Sequence, residues 1–166
     1  MKVIIIAAGK GSRLKDLTKD SPKCMLEIGG MTVLERQLGV FRENGIKNIS
    51  VIKGYKAEKI TYPEIRYYLN DDYENNNILH SLMYAEEQMD NAFIASYSDI
   101  IFESSVVNKL LLNEDDISIV VDTDWKDSYI GRSEHPLEEA EKVIFDENLH
   151  VKEIGKMIPN DLPALS

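Results

Sequence analysis

The chain has 166 residues, of which 43% are apolar and 29% charged, and this length predicts a single globular domain over residues 1–166. The net charge of −10 argues against a general nucleic-acid partner, which needs a basic face. No apolar run approaches the roughly 20 residues of a membrane helix, and no signal-peptide pattern follows Met1. The single cysteine, Cys24, excludes an internal disulfide and a cysteine zinc cage, so a cytoplasmic location is expected.

Apolar patterning predicts strands that alternate with helices. The β-branched run at 2–6 predicts a buried strand. Residues 32–45 predict a helix, because Thr32 and Glu35 have capping-box spacing and Gly45 stands at the C-terminal cap. Further strands are predicted at 48–52, 64–69, 92–99 and 117–121, further helices at 78–89 and 104–112, and a hairpin at 142–154. This order predicts an α/β fold with a mainly parallel central sheet flanked by helices.

A glycine-rich segment, AAGKGSRL at 7–14, follows the first predicted strand. Ligands of open α/β sheets bind at the carboxyl ends of strands, and glycines let backbone N–H groups approach phosphate oxygens. Residues 1–23 carry a net charge of +4 and the rest of the chain −14, which suits a compact anionic ligand. Gly11-Ser12-Arg13 lacks the Walker lysine. Leu14 takes the place of the third glycine of a dinucleotide fingerprint.

The remaining pattern, AAGxGxRL followed by Pro22-Lys23, resembles the nucleotidyltransferase family that makes NDP-activated compounds from an NTP. The segments GYKAEKI, NNILHSL and SYSDIIF are similar to its phosphocholine and 2-aminoethylphosphonate cytidylyltransferases. The segment DWKDSYIGRSEHPLEEAEKV is similar to nucleotidyltransferases of phosphonate metabolism. The resemblance implies a Rossmann-like fold, Mg²⁺ as cofactor, and a chain without the family's C-terminal part and its second metal carboxylate.

The resembled reaction is in-line attack by a phosphate or phosphonate oxygen on the α-phosphorus of the NTP. The attacking oxygen is already anionic, so positioning and charge stabilisation replace a general base. The resemblance gives the catalytic roles to Arg13, Lys23 and Asp99. Arg13 would grip the leaving pyrophosphate, Lys23 would balance charge on the α-phosphate, and Asp99 would hold Mg²⁺. The alternatives are surface solvation for the two cations and a turn cap for Asp99.

Nucleotide binding is expected, from the resemblance and from side-chain chemistry, of Ala7, Ala8, Gly9, Gly11, Ser12, Arg13, Lys23, Gly54, Tyr55, Asn77 and Ser81. Backbone N–H groups of Gly9, Gly11 and Ser12 would cradle the β- and γ-phosphates. Asn77 and Ser81 would read the edge of a pyrimidine, although Asn77 equally suits a helix N-cap. Gly54 and Tyr55 equally suit a turn with a packing tyrosine.

Acceptor binding is expected of Asp122, Asp124, Trp125, Tyr129, Arg132 and His135. Arg132 would hold the phosphonate, and Asp122, Asp124 or the Trp125 ring would hold an amine or quaternary ammonium, unless Trp125 packs in the core. The sequence therefore predicts a CTP-dependent cytidylyltransferase for a small zwitterionic acceptor. A sugar-1-phosphate nucleotidyltransferase using UTP or dTTP and a non-catalytic nucleotide-binding fragment are the alternatives. No membrane partner is expected, and a homodimer that covers an exposed sheet edge stays open.

Overall fold

A computed structural model describes residues 1–132 and 136–159. The chain divides into two compact units, Met1–Leu112 and Asn113–Ser166. The single-domain organisation predicted from the length stays a prediction. Within the described residues, no helix has the length and apolar character needed to cross a membrane.

Eight strands and three α-helices are defined in the described residues. The strands are β1 (Lys2–Ala7), β2 (Glu27–Ile28), β3 (Met31–Thr32), β4 (Asn48–Lys53), β5 (Arg66–Leu69), β6 (Phe93–Tyr97), β7 (Lys142–Phe145) and β8 (Val151–Gly155). The helices are α1 (Val33–Glu43), α2 (Ile78–Met83) and α3 (Ser104–Leu112). Short 3-10 turns connect several of them, including Ser12–Thr18 and Lys23–Met25.

The first unit is built on a four-stranded parallel sheet of order β5-β4-β1-β6. Val3 and Ile5 of β1 pack in a cluster with Leu34 and Phe41 of α1, whereas Ile4 faces the other side of the sheet. Both faces of β1 are therefore buried, which explains its continuous β-branched run. The predicted parallel α/β sheet is confirmed.

Helix α1 begins and ends where the sequence predicts. The Thr32 side chain accepts a hydrogen bond of 3.0 Å from the Glu35 N–H, and Thr32 is the N-cap. Gly45 has a φ of +77°, and its N–H donates to the Arg42 carbonyl while the Ile46 N–H donates to the Phe41 carbonyl. These bonds satisfy the last carbonyls of the helix, as expected of a left-handed glycine at this position.

Several predicted elements differ from the structure: β5 begins at Arg66 rather than at residue 64, and a predicted strand does not form. The sequence predicts a strand at 117–121, but this segment carries neither strand nor helix, and Ile117 is 88% exposed. Asn113 accepts hydrogen bonds from the Asp115 N–H and the Ser118 hydroxyl, so a side-chain turn holds the start of the segment. Its β-branched composition does not produce a strand, because a strand needs a paired neighbour and none pairs with this segment among the described residues.

The other two differences concern where elements end. Strand β6 ends at Tyr97 rather than at Asp99, because Ser98 and Asp99 form a turn, which small polar residues favour. The helix predicted at 78–89 divides into α2 and a 3-10 turn, Glu86–Gln88, separated at Ala85, whose φ of −109° is not helical.

The second unit contains the predicted hairpin. Strands β7 and β8 pair antiparallel, with Lys142 opposite Gly155 and Val143 opposite Ile154. At the turn, the Asp146 N–H donates to the His150 carbonyl and Leu149 has a φ of +64°. The hairpin prediction is confirmed.

Candidate functional site

The glycine-rich segment leaves β1 at the carboxyl edge of the sheet. Ala7 and Ala8 are buried, whereas Gly9 and Ser12 are exposed. A Cβ added to Gly9 would meet no atom of the described residues within 4 Å. Packing therefore does not require this glycine, and its bare backbone faces open space in which a phosphate can approach closely.

The rest of the segment is held by internal bonds. Gly11 has a φ of +65°, and a Cβ there would lie 3.1 Å from the Cβ of Lys23. The missing side chain of Gly11 therefore lets Lys23 approach the glycine-rich segment. The Thr18 hydroxyl donates to the Gly11 carbonyl at 3.0 Å. Arg13 is exposed within the Ser12–Thr18 turn, two residues before Lys15, which adopts a positive φ of +49°. Such a conformation costs a non-glycine residue about 1–3 kcal/mol and clusters at ligand-binding loops.

Gly54 and Tyr55, which follow β4, contact the glycine-rich segment at Ala8. A Cβ on Gly54 would lie 2.7 Å from the Ala8 carbonyl oxygen and 2.8 Å from the Tyr73 Cβ, closer than atoms pack. The Tyr55 N–H donates to that Ala8 oxygen at 2.9 Å, and the Tyr55 hydroxyl donates to the Lys19 carbonyl at 2.5 Å. These contacts give both residues the packing role that the sequence left open, and their contact with a nucleotide stays a prediction.

Lys23 and Asp99 meet at the carboxyl edge of the sheet. The Lys23 ammonium lies 2.6 Å from Oδ2 of Asp99, and both side chains are about one-third exposed. Cys24, which follows Lys23, and Ser98, which precedes Asp99, also lie near each other, and the Ser98 side chain partly offsets the rise in the pKa of the Cys24 thiol. Burial raises the pKa of Cys24 to about 12, so this thiol is a structural group and not a nucleophile. The structure thus brings a cation and a carboxylate together beside the glycine-rich segment.

Gln37 is a site residue that the sequence analysis missed. It lies on the buried face of α1 and is 1% exposed. Its Nε2 donates to the carbonyls of Tyr97 and Ile100, at 2.9 and 2.6 Å, on either side of the Ser98–Asp99 turn. A signal existed in the sequence, since Gln37 interrupts the apolar stripe of a helix.

Asn77 and Ser81 lie at the start of α2. The Asn77 Oδ1 accepts from the His80 N–H at 2.9 Å, so Asn77 is the N-cap, as its alternative role predicts. Ser81 is buried, and its hydroxyl accepts from the Asn70 side-chain amide at 2.9 Å. Asn70, fully buried and also missed, exchanges hydrogen bonds with the Asn76 amide. An open depression of about 530 Å³ lies on this part of the surface, lined by Asp72, Asn76, His80, Met83 and Tyr84.

The expected acceptor residues lie in the second unit. Trp125 is 3% exposed, and its ring packs edge-on against Tyr129 with the centroids 5.8 Å apart. The Arg132 guanidinium lies 4.7 Å from the Tyr129 ring centroid. The Asp122 carboxylate accepts from the Asp124 N–H at 2.9 Å, and both aspartates are exposed. Burial gives Trp125 a packing role, the acceptor roles stay predictions, and His135 lies outside the described residues.

Residues 3–153 match the family model of the MobA-like NTP transferase domain. The chain belongs to this family. The family resemblance drawn from AAGxGxRL and Pro22-Lys23 is thereby confirmed, as is the Rossmann-like α/β fold.

Relatives of this NTP transferase domain include two cytidylyltransferases. CTP:phosphoglutamine cytidylyltransferase of Campylobacter jejuni is 34% identical over 169 residues, which cover 94% of this chain and 66% of that protein. Choline-phosphate cytidylyltransferase of Streptococcus pneumoniae is 32% identical over 114 residues, which cover 66% of this chain and 50% of that protein. The chain therefore spans between half and two thirds of the length of these relatives.

A solved structure supports the fold of the domain. The inositol-1-phosphate CTP transferase from T. maritima matches with a TM-score of 0.75, over 99% of this chain and 66% of that chain, at 24% sequence identity. At this identity the likeness concerns the fold alone.

Asp99 is the residue that suits the Mg²⁺ implied by the NTP transferase family. Among the described residues, no group of three or more His, Cys, Asp or Glu side chains is placed to enclose a metal ion. Mg²⁺ is commonly held by one or two carboxylates, with waters and substrate phosphates as its other ligands. One carboxylate beside the exposed glycine-rich segment fits that requirement, whereas the described residues form no all-protein metal cage.

Proposed function

We propose that this chain transfers a cytidylyl group from CTP to a small phosphorylated or phosphonate acceptor and releases pyrophosphate. The observation that carries the proposal is the contact of Lys23 with Asp99 beside the open backbone of Gly9. A cation, a carboxylate and unhindered backbone N–H groups at one sheet edge are the groups that a triphosphate and its metal ion need. CTP is favoured because the relatives from C. jejuni and S. pneumoniae are named cytidylyltransferases.

In the proposed reaction, an anionic acceptor oxygen attacks the α-phosphorus of CTP. A bond forms between that oxygen and phosphorus, the bond from phosphorus to the bridging oxygen of the β-phosphate breaks, and pyrophosphate leaves. No residue has to remove a proton, because the acceptor oxygen is ionised at neutral pH. The chain contributes positioning and charge stabilisation.

Each group of the first unit has a role in this reaction. The backbone of Gly9, Gly11 and Ser12 would bind the β- and γ-phosphates, and Arg13 would hold the leaving pyrophosphate. Lys23 would stabilise the charge that develops around the α-phosphate. Asp99 would hold Mg²⁺, which supplies charge neutralisation to the triphosphate when bound.

The acceptor is proposed to be a zwitterion such as 2-aminoethylphosphonate or phosphocholine. Arg132 would bind its phosphonate or phosphate, and the exposed carboxylates of Asp122 and Asp124 would bind its ammonium group. The exposure of these two aspartates and the position of Arg132 over the Tyr129 ring support the assignment.

Two measurements test the proposal. The first is isothermal titration of the chain with CTP, UTP, ATP and GTP in the presence of Mg²⁺, in which CTP is expected to bind most tightly. Equal affinity for all four nucleotides would contradict the base assignment, and a preference for UTP would favour a sugar-1-phosphate acceptor.

The second measurement is pyrophosphate release from CTP with 2-aminoethylphosphonate, phosphocholine, phosphoglutamine or inositol-1-phosphate as acceptor. Release with a zwitterionic acceptor supports the proposal, and release only with inositol-1-phosphate contradicts the acceptor assignment. A folded chain that binds CTP and releases no pyrophosphate with any acceptor would be a nucleotide-binding fragment instead.

A further inference from the structure

We propose that Gln37 is a positioning residue that holds the Ser98–Asp99 turn, so that the Asp99 carboxylate stays against Lys23. The inference deepens the proposed function and rests on it, because the importance of this position depends on the role of Asp99. Gln37 itself touches neither Lys23 nor Asp99 in the contacts described, so its effect has to pass through the backbone.

The first argument is the geometry of the two bonds. One side-chain nitrogen donates to the carbonyls of Tyr97 and Ile100, which bracket Ser98 and Asp99. The last residue of β6 and the first residue after the turn are thereby fixed to the same atom. With both ends held, the backbone that carries Asp99 has little freedom to move away from Lys23.

The second argument is that Gln37 is a poor choice for stability alone. Its position is 1% exposed and lies among the apolar residues of α1. Its Oε1 is buried and accepts no hydrogen bond from the described residues. A buried acceptor left unpaired destabilises the folded state, so an apolar side chain of the same size would serve the core better. In the described residues, the hydrogen bonds of this amide are formed by its nitrogen, Nε2.

The third argument is that other contacts converge on the same turn. The Ser96 hydroxyl donates to the Tyr97 carbonyl at 3.1 Å, the Cys24 thiol lies near the Ser98 side chain, and Lys23 pairs with Asp99. Gln37 approaches this turn from α1, and Lys23 and Cys24 approach it from the Lys23–Met25 turn. The carboxylate is thus positioned from two separate elements.

The test compares Gln37→Met with Leu38→Ala. Methionine keeps the length and burial of Gln37 and removes both the donor and the unpaired acceptor, so global stability is expected to stay close to that of the parent chain. Leu38 is equally buried on the same helix, and its truncation opens a cavity and lowers global stability. The pair therefore separates an effect on the turn from an effect on the core.

Amide hydrogen exchange is the first readout, and it does not depend on activity. In Gln37→Met, exchange at the last paired amides of β6, which lead into the turn, is expected to rise about tenfold or more relative to amides of β4, whereas Leu38→Ala raises exchange at both sites together. Unchanged exchange at these β6 amides in Gln37→Met overturns the proposal, whether or not the chain binds CTP.

The second readout is the affinity for CTP measured by calorimetry with and without Mg²⁺. Gln37→Met is expected to lose about 10- to 100-fold of the affinity that Mg²⁺ adds and to keep the metal-free affinity, and the same result is expected of Asp99→Asn. A loosened turn with the Mg²⁺ effect intact overturns the functional part of the inference. A parent chain that binds no CTP overturns the proposed function and this functional part, while the exchange result still decides whether Gln37 holds the turn.

Discussion

The Lys23 ammonium lies 2.6 Å from the Asp99 carboxylate, although 76 positions separate the two residues in the chain. Parallel pairing of β1 with β6 brings them to the same edge, because the segments that follow both strands leave the sheet there. An ion pair with both partners this exposed contributes at most about 1 kcal/mol to stability. Stability alone therefore gives little reason for this pair, and the proposed catalytic roles of its two residues can be measured separately.

We expect Lys23→Ala to lower kcat about 100- to 1,000-fold, because it removes a cation from the charge that develops at the α-phosphate. The free energy of unfolding should change by less than about 1 kcal/mol. Steady-state pyrophosphate release and urea denaturation measure the two effects. Lys47→Ala, an exposed lysine away from the site, is the matched control and should retain activity. A Lys23→Ala chain with full activity would contradict the catalytic role.

Gly54→Ala should destabilise the chain by about 1–3 kcal/mol, because its Cβ would press against the Ala8 carbonyl at 2.7 Å. Gly39→Ala provides the opposite case, since it lies inside α1 and its Cβ would meet no atom of the described residues within 4 Å. That substitution should stabilise the helix by about 1 kcal/mol. Denaturant unfolding of the two variants measures both. Equal effects would show that the packing around Gly54 is looser than described.

Gly9→Ala should leave the free energy of unfolding nearly unchanged and weaken CTP binding. The added methyl group would project into space that the described residues leave open, where the phosphates are proposed to lie. Calorimetric titration with CTP, alongside a thermal unfolding curve, separates the two quantities. If the Gly9→Ala chain is stable and binds CTP with unaltered affinity, the phosphates of CTP do not lie against Gly9.

Cys24 should resist thiol reagents in the folded chain at pH 8. Burial raises the pKa of its thiol from 9.0 to about 12, so the neutral form is favoured by folding. The resulting stabilisation is fully present below pH 9 and is lost as the pH rises through about 12. Labelling kinetics in native buffer and in urea test this, and rapid labelling of the native chain at pH 8 would contradict it.

Asp146, at the turn between β7 and β8, should titrate well below an ordinary aspartate. Hydrogen bonds from the Lys152 ammonium and from the His150 and Asn148 N–H groups lower the pKa of Asp146 from 3.8 to about 2. The stabilisation of the hairpin is present above pH 3.8 and is lost as the pH falls through about 2. Carbon NMR of the carboxyl group measures the midpoint, and Lys152→Met should raise it. A midpoint near 3.8 in the parent chain would contradict these contacts.

Features with a local cause were predictable from the sequence. Thr32 and Gly45 bound α1 because capping and a left-handed glycine depend on neighbouring residues alone. The burial of β1, and the position of the glycine-rich segment directly after this strand, were predictable for the same reason. Asn77 shows the limit of such signals, since its spacing suits an N-cap and a base contact equally well.

Features that depend on distant partners were not predictable. In the sequence, Gln37 is a single polar residue on the apolar face of a helix. Its hydrogen bonds to the Tyr97 and Ile100 carbonyls depend on tertiary packing that brings the end of β6 to α1. Residues 117–121 have the composition of a strand, but no neighbouring strand among the described residues pairs with them. Strand formation is decided by that neighbour, and a single sequence does not identify it.

Strand β1 lies between β4 and β6, so the centre of this sheet is complete only when both of these later strands are present. Strand β1 is synthesised before both of its partners, which begin at Asn48 and Phe93 opposite Lys2. Until the second partner is present, one edge of β1 is unprotected, which makes the nascent chain slow to fold and prone to association. The glycine-rich segment is synthesised well before Asp99, so under the proposed function nucleotide affinity would report that the sheet is complete.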